Sequence, residues 1–367
     1  MKFSTETELL AERLSVIQGV TERRTTMPIL SHTLIEGSGS SLYVTATDLD
    51  TTVRTGCEAK VEVEGSIALP ARKLFEIVKE LPSGKVEMEE ANNHWVHIRA
   101  GTASFRIAGL PPDDFPASGQ IGGDGVERAS VDVPELEGMI AKTIYAVTPD
   151  ELRRNISGIL FEFTGSALRL VATDGHRLSL VESPSVVSTS FESAYLVPKK
   201  GVSELRRLLR QADEARIGFS SKELVAEVDG VLLGVRLIDA KFPNYRQVIP
   251  SETAREFRAG REEFLAALRR VSLLSSEKTR SVKFHLSPSR LVLTSVSPEV
   301  GEAREELAVR YDGDEIEIGF NSTYLTDVLG AMEEDEVRFG LTDPQSPAVL
   351  RPVGNDLHLA VVMPMRV

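Results

Sequence analysis

The chain has 367 residues, 41% hydrophobic and 26% charged, which is too long for one ordinary core and too apolar for global disorder. No run approaches about 18 consecutive apolar residues, so no membrane-spanning helix is expected. The net charge of −13 speaks against a uniformly basic nucleic-acid binder, although a partner feels the local field and not the sum.

Taken in chain order, the start Met1-Lys2-Phe3-Ser4 lacks a basic region followed by an apolar run, so no signal peptide is expected. Leu9, Leu10, Leu14 and Ile17 sit at helical spacing and predict a helix over 6–20. Leu42-Tyr43-Val44-Thr45-Ala46-Thr47-Asp48 alternates as a strand. Cys57, the single cysteine, lies in strand-like sequence; a lone thiol forms no internal disulfide and fits a reducing, cytoplasmic setting. Leu69-Pro70-Ala71 opens a helix over 71–81, strands follow over 85–89 and 95–100, and Phe115-Pro116 closes the segment.

The same order then returns. Leu168 to Asp174 repeats Leu42 to Asp48 at an offset of 126, and Leu291 to Ser297 follows 123 later. Val197-Pro198 and Gly319-Phe320-Asn321 repeat the helix opening, and Phe242-Pro243 and Met363-Pro364 repeat the close. Three landmarks in fixed order make three copies of one unit of about 120 residues, each long enough to be a domain. The expected domains are 1–124, 125–250 and 251–367, with linkers at the glycine-rich run 119–125 and near Pro250-Ser251-Glu252-Thr253. The remaining expected helices are 134–147, 200–211, 261–275 and 322–332, with further strands at 216–219, 224–228, 315–319 and 337–341. Two helices and about eight strands per copy give an α+β plan.

Basic residues gather on or beside helices: Arg72, Lys73 and Lys79; Lys199, Lys200, Arg206, Arg207 and Arg210; Arg269 and Arg270. Loops add Arg23-Arg24 and Arg153-Arg154, while strands and turns carry acid, as in Glu302, Glu305 and Glu306. A charge run is usually a solvated face, but its recurrence on helices in every copy fits helices turned to a polyanion. With 6% aromatic residues a base-stacking platform is excluded, leaving sequence-independent phosphate contact.

Motifs for nucleotide phosphates, zinc hydrolysis, serine nucleophiles and paired cysteines are absent, and neither a catalytic nor a metal site is expected. One stretch looks chemical, Thr173-Asp174-Gly175-His176-Arg177. Asp174 and His176 could serve as orienter and base. The other reading is a turn in which Gly175 bends and Asp174 holds the backbone.

At Ser157-Gly158-Ile159-Leu160-Phe161-Glu162, Val171 to Leu178, Phe242-Pro243-Asn244-Tyr245-Arg246, Met27-Pro28-Ile29-Leu30 and the tail Val361 to Arg366, the chain closely resembles the bacterial DNA sliding clamps, the beta subunits of DNA polymerase III holoenzyme. The resemblance covers the whole chain. It implies three tandem clamp domains, each of two helices packed on antiparallel sheets, joined as a head-to-tail dimer into a helix-lined ring. Packed helices lie about 8–10 Å apart, so six enclose a hole of about 15–19 Å and twelve one of about 30–38 Å. A duplex is roughly 20 Å across, so two copies are required.

By the same resemblance the ring encloses double-stranded DNA of any sequence, and Arg24, Arg72, Arg153, Arg154, Lys199 and Lys200 face it. A peptide pocket gathers Ile156, Thr173, Gly175, His176, Arg177, Leu178, Pro243, Val248, Val361, Val362, Met363, Pro364, Met365 and Arg366. Short linear motifs of the polymerase, the clamp loader, other polymerases and repair factors insert apolar anchors there. The homodimer contact is implied at Lys73, Phe105, Leu273, Leu274, Glu299, Glu302, Glu305 and Glu306. Two positions depart from the family pattern. Arg154-Asn155 stands where some members have adjacent tyrosines, and Gln247 where arginine is frequent. The resemblance implies no cofactor, no catalysis and no membrane, and a cytoplasmic, nucleoid-associated protein.

Overall fold

A computed structural model describes residues 1–21, 27–116, 121, 126–165, 167–186 and 192–366. Arg24 and all of the predicted 119–125 linker except Ile121 lie outside the described residues.

Six α-helices are found among the described residues: α1 Thr7–Val16, α2 Ala71–Lys79, α3 Val133–Ala141, α4 Lys199–Leu209, α5 Arg261–Ser272 and α6 Ser322–Ala331. They come in three pairs along the chain, as the repeat predicts. The second helix of each pair has a defined start. Pro70 and Pro198 precede α2 and α4 with backbone that cannot continue a helix upstream, and Asn321 caps α6 by accepting the Thr323 N–H at 2.9 Å. On α2, Ala71, Leu74 and Val78 are buried at helical spacing, leaving Arg72 and Lys73 outside. Helix α3 ends at Ala141, short of the predicted 147. The Thr143 hydroxyl donates back to the carbonyls of Met139 and Ile140, which competes with continuation of the helix. No helix among the described residues is long and apolar enough to cross a membrane.

The chain forms two compact units: Met1–Pro134 with Lys200–Leu237, and Glu135–Lys199 with Ile238–Val367. The middle copy is therefore shared between them. The reason lies in strand pairing. In the first unit an eight-stranded antiparallel sheet runs Ala129–Val131, Ala215–Phe219, Glu223–Val228, Val231–Arg236, Thr51–Glu58, Ser41–Thr47, His32–Ser38, Gly65–Pro70. Its centre is a seam between copies, where Thr51 faces Val235, Thr52 faces Gly234 and Val53 faces Leu233. In the second unit the sheet Glu192–Pro198, Gly158–Thr164, Ala167–Thr173, Arg177–Ser183, His358–Val362, Ala348–Pro352, Glu336–Leu341, Arg255–Gly260 does the same. There Arg177 faces Val362, Leu178 faces Val361 and Ser179 faces Ala360. Each unit also has a smaller sheet. One ends in the strand Ala103–Ala108 and the other in Gly301–Ala308, and among the described residues neither has a partner strand on its outer side.

The core of the second unit is aromatic. Phe257, Phe264, Phe284, Phe320 and Phe339 are fully buried, with Phe257 stacked on Phe339 at 5.0 Å between centroids. In the first unit Leu10, Leu14 and Ile17 of the first helical stretch, and Leu74 and Val78 of α2, are fully buried.

Candidate functional site

The turn at Thr173–Arg177 organises the site. The Asp174 carboxylate accepts the N–H groups of His176 at 2.9 Å and Arg177 at 3.0 Å, and the Thr173 hydroxyl accepts that of Gly175 at 3.1 Å. Gly175 has φ +90°, a conformation that costs glycine little. The first copy makes the same turn: Asp48 accepts from Asp50 and Thr51, and Leu49 takes the positive φ of 82°. Asp174 is thus a turn residue. Its second oxygen receives Arg177 Nε at 3.1 Å, and His176 stacks on Tyr324 at 6.1 Å. No hydrogen bond among the described residues joins the carboxylate to the imidazole, so the base-and-orienter arrangement does not form.

Arg177 is the most constrained member. Its guanidinium reaches Asp174, Asp327 of α6 at 2.6 Å and the carbonyl of Tyr145 at 2.7 Å. It also lies 4.7 Å from the centre of the Tyr324 ring and 5.3 Å from that of Tyr145. Burial pushes the Tyr145 phenol up to about 12, so that ring stays neutral beside the guanidinium.

Beside this turn lies a cavity of about 270 Å³. The seam supplies Leu178 and Val361, with Met363 beyond; Thr173, Gly175, His176 and Arg177 come from the turn, and Ile156 from the helical turn Arg154–Ile156. Pro243 and Val248 form the opposite wall with Asn244 and Tyr245. Val248 and Met363 remain partly open to solvent, at 47% and 37% exposure, so apolar surface is on offer.

Ten of the fourteen residues expected in the pocket line this cavity; Val362, Pro364, Met365 and Arg366 do not. Val362 points the other way, into the aromatic core, because neighbours on a strand face opposite sides. Met365 is held by backbone pairing to Gly319. Four lining residues were not expected there: Arg153, Asn155, Asn244 and Tyr245. Arg153, expected to face DNA, donates to the Asp174 carbonyl at 2.8 Å and stands over Gly175, where a Cβ would lie 2.9 Å from its guanidinium.

Tyr245 fastens its wall to the sheet. Its hydroxyl donates to Glu162 at 2.6 Å and accepts from Arg169 at 3.1 Å; Arg169 also pairs with Glu162 and Glu182, and Arg246 with Glu162. Burial works to raise the Glu162 pKa, but Tyr245, Arg246 and Arg169 more than offset it and hold the carboxyl below the usual range. The signal was present in the sequence as a tyrosine after Pro243-Asn244, but its partners lie 76 and 83 residues away.

The other predicted residues are not among those that line the cavity. Arg72 and Lys73 both pair with Glu76, at 3.0 and 2.6 Å. Lys199 donates to the Val147 carbonyl at 3.4 Å, and Lys200 pairs with Asp48. Arg154 is exposed. Phe105 is exposed on the open strand Ala103–Ala108, Leu273 stands 79% exposed after α5, and Leu274 is half-buried. Glu299 and Glu302 are exposed, whereas Glu305 pairs with Arg270 and Glu306 with Arg290 at 2.5 Å.

Three copies of one α+β unit, two joined sheets and an apolar cavity define a tandem-repeat binding protein. Family models for the DNA polymerase III beta subunit match throughout: the N-terminal domain over 1–119, the central domain over 130–244 and the C-terminal domain over 246–366. A beta sliding clamp of Caulobacter vibrioides is 38% identical over 376 residues, covering all of both chains. The DNA polymerase III subunit beta of Pseudomonas aeruginosa superposes with a TM-score of 0.95 at 35% identity over all of both chains. A Caulobacter crescentus clamp with polyethylene glycol at its candidate beta-motif tethering region gives 0.95 at 37%, again over all of both chains. The chain belongs to the DNA polymerase III beta subunit family, the beta sliding clamps, which are non-catalytic processivity factors of that polymerase.

Proposed function

We propose that two copies of the chain, each of three clamp domains spanning 1–124, 125–250 and 251–367, close head to tail into a ring around duplex DNA. One observation carries the reading. The two seams within the chain pair repeat-equivalent strands in one register: Thr51 with Val235 and Thr52 with Gly234 in the first, Arg177 with Val362 and Leu178 with Val361 in the second. The third strand of this type is Gly301–Ala308, and the one partner strand left over is Ala103–Ala108. Both are open edges, which proteins seldom leave bare. Continuing the register sets Gly301 against Ile107, Glu302 against Arg106 and Ala303 against Phe105 of a second copy. Phe105 then meets the side where Leu273 and Leu274 stand, and Lys73, Glu299, Glu305 and Glu306 lie at the rim.

Six helices per copy supply the twelve that a duplex requires. Arg24, Arg72, Arg154, Lys199 and Lys200 offer phosphate contacts. Because Arg72 pairs with Glu76 and Lys200 with Asp48, phosphates exchange with internal partners and the grip stays weak enough to slide. The apolar cavity accepts short motifs of the polymerase, the clamp loader, other polymerases and repair factors, and the protein works in the cytoplasm on the nucleoid.

The test is topological. Protein loaded on nicked circular DNA by its loader is expected to stay on the circle and to leave when the circle is cut open. Retention on the linear form would refute enclosure.

A further inference from the structure

The outer face of the sheet that carries the cavity also carries a row of four arginines. Arg351 faces Arg338, Arg338 faces Arg258, and Arg258 faces Arg310 on successive neighbours. Directly opposed like charges destabilise a sheet, so an uninterrupted row needs a reason. Acids meet it only in part. Arg258 has Glu256 at 3.6 Å, Arg310 has Glu336 at 3.2 Å, and Arg338 has Asp356, which is 80% exposed. Among the described residues Arg351 reaches only the Asp356 carbonyl, at 3.3 Å. Arg338 Nε is buried with no hydrogen-bond partner, and Arg338 and Arg351 line a second cavity of about 140 Å³.

This second cavity adjoins the first. The segment that forms one wall of the first cavity through Val248 lines the second from Pro250 to Thr253. Val349 of the second cavity lies directly opposite Val361 of the first. Arg351, two residues along from Val349, is then about 7–8 Å diagonally from Val361. The row spans three strand spacings, about 14 Å, or four to five residues of extended chain.

We propose that the arginine row binds an acidic flank of the peptide whose apolar anchors occupy the first cavity. This rests on the reading of that cavity as a peptide site. Guanidinium forks suit carboxylates bidentately. Glu252 and Glu256 border the same cavity, which favours an occupant whose carboxylates sit on separately rotatable side chains that can reach the guanidinium groups and turn away from these two acids.

The test uses full-length protein and fluorescein-labelled peptides with leucine and phenylalanine anchors. Each is made plain, with four glutamates at either end, or with four serines there. At low salt one glutamate extension is expected to tighten Kd about tenfold, and about 0.5 M salt to remove most of that gain. The exposed-side variant R258Q/R310Q/R351Q should lose the gain and keep the plain peptide's Kd, which also reports that it is folded. Equal Kd for glutamate and serine forms, or a gain that survives in the variant, overturns the proposal and leaves the peptide site standing. Failure of every peptide to bind sinks the peptide-site reading itself. A short oligothymidylate that binds wild type as tightly as the glutamate peptide, but not the variant, would make the row a nucleic-acid site and also overturn the proposal.

Discussion

Reversing the charge at Arg106 or Glu302 tests the ring at a single pair of residues. In the proposed ring, continuing the register of the two internal seams would set Glu302 of one copy opposite Arg106 of the other. Arg106 is already laid over Trp95, its guanidinium 4.4 Å from the ring, and Glu302 is exposed. An opposite-charge cross-strand pair contributes roughly 0.2–1 kcal/mol, and a like-charge pair destabilises by a similar amount. Arg106→Glu or Glu302→Arg therefore costs about 0.4–2 kcal/mol per seam. A ring of this kind has two seams, so the dimer should weaken by about 1–4 kcal/mol, or roughly 4- to 1000-fold in Kd. The double variant re-forms both pairs in reversed order and should recover most of the affinity. Sedimentation velocity over a concentration series measures this, with added salt expected to shrink all three effects. If the double variant dissociates as readily as the worse single one, the register is wrong.

Three further outcomes are expected. Burial and the Lys142 charge hold the His358 imidazole down to about 4 from its ordinary 6.5, and among the described residues neither ring nitrogen has a partner. The unfolded chain takes the proton first, so stability is full above pH 6.5 and falls as pH drops toward 4; at pH 5 the loss is about 2 kcal/mol. Urea unfolding at pH 7 and pH 5 should show that loss in wild type and not in His358→Leu, and parallel behaviour would contradict the assignment. Arg177→Ala leaves Asp174 and the half-exposed Asp327 unpaired and should destabilise by about 2–3 kcal/mol and weaken peptide binding. Arg177→Lys should not restore binding, because an ammonium cannot reproduce the three-way fork; anisotropy titration distinguishes the two. Tyr245→Phe removes the hydroxyl shared by Glu162 and Arg169 and should cost about 1–2 kcal/mol. Hydrogen exchange across 243–248 should quicken if that hydroxyl fastens the wall.

The threefold repeat, the helix openings at Pro70 and Pro198 and the turn at Asp174 are local matters, and local chemistry wrote them plainly into the sequence. A proline or a short polar side chain acts on backbone within a few residues, so its effect is read from neighbours. Most of the cavity's lining was likewise legible, through resemblance at Val171 to Leu178 and at the tail. The rest depended on which strands pair. The seams join copies across more than a hundred residues, and they share the middle copy between two compact units, which no local pattern records. The alternation of side chains then sent Val361 to the cavity and Val362 to the core, although both are valines in one apolar run. Pairing likewise brought Arg153 over Gly175, Tyr245 onto Glu162 and four distant arginines into one row. Periodicity along the chain determines what an element is. Register between elements decides what each side chain touches, because a shift of one residue turns a strand's faces over.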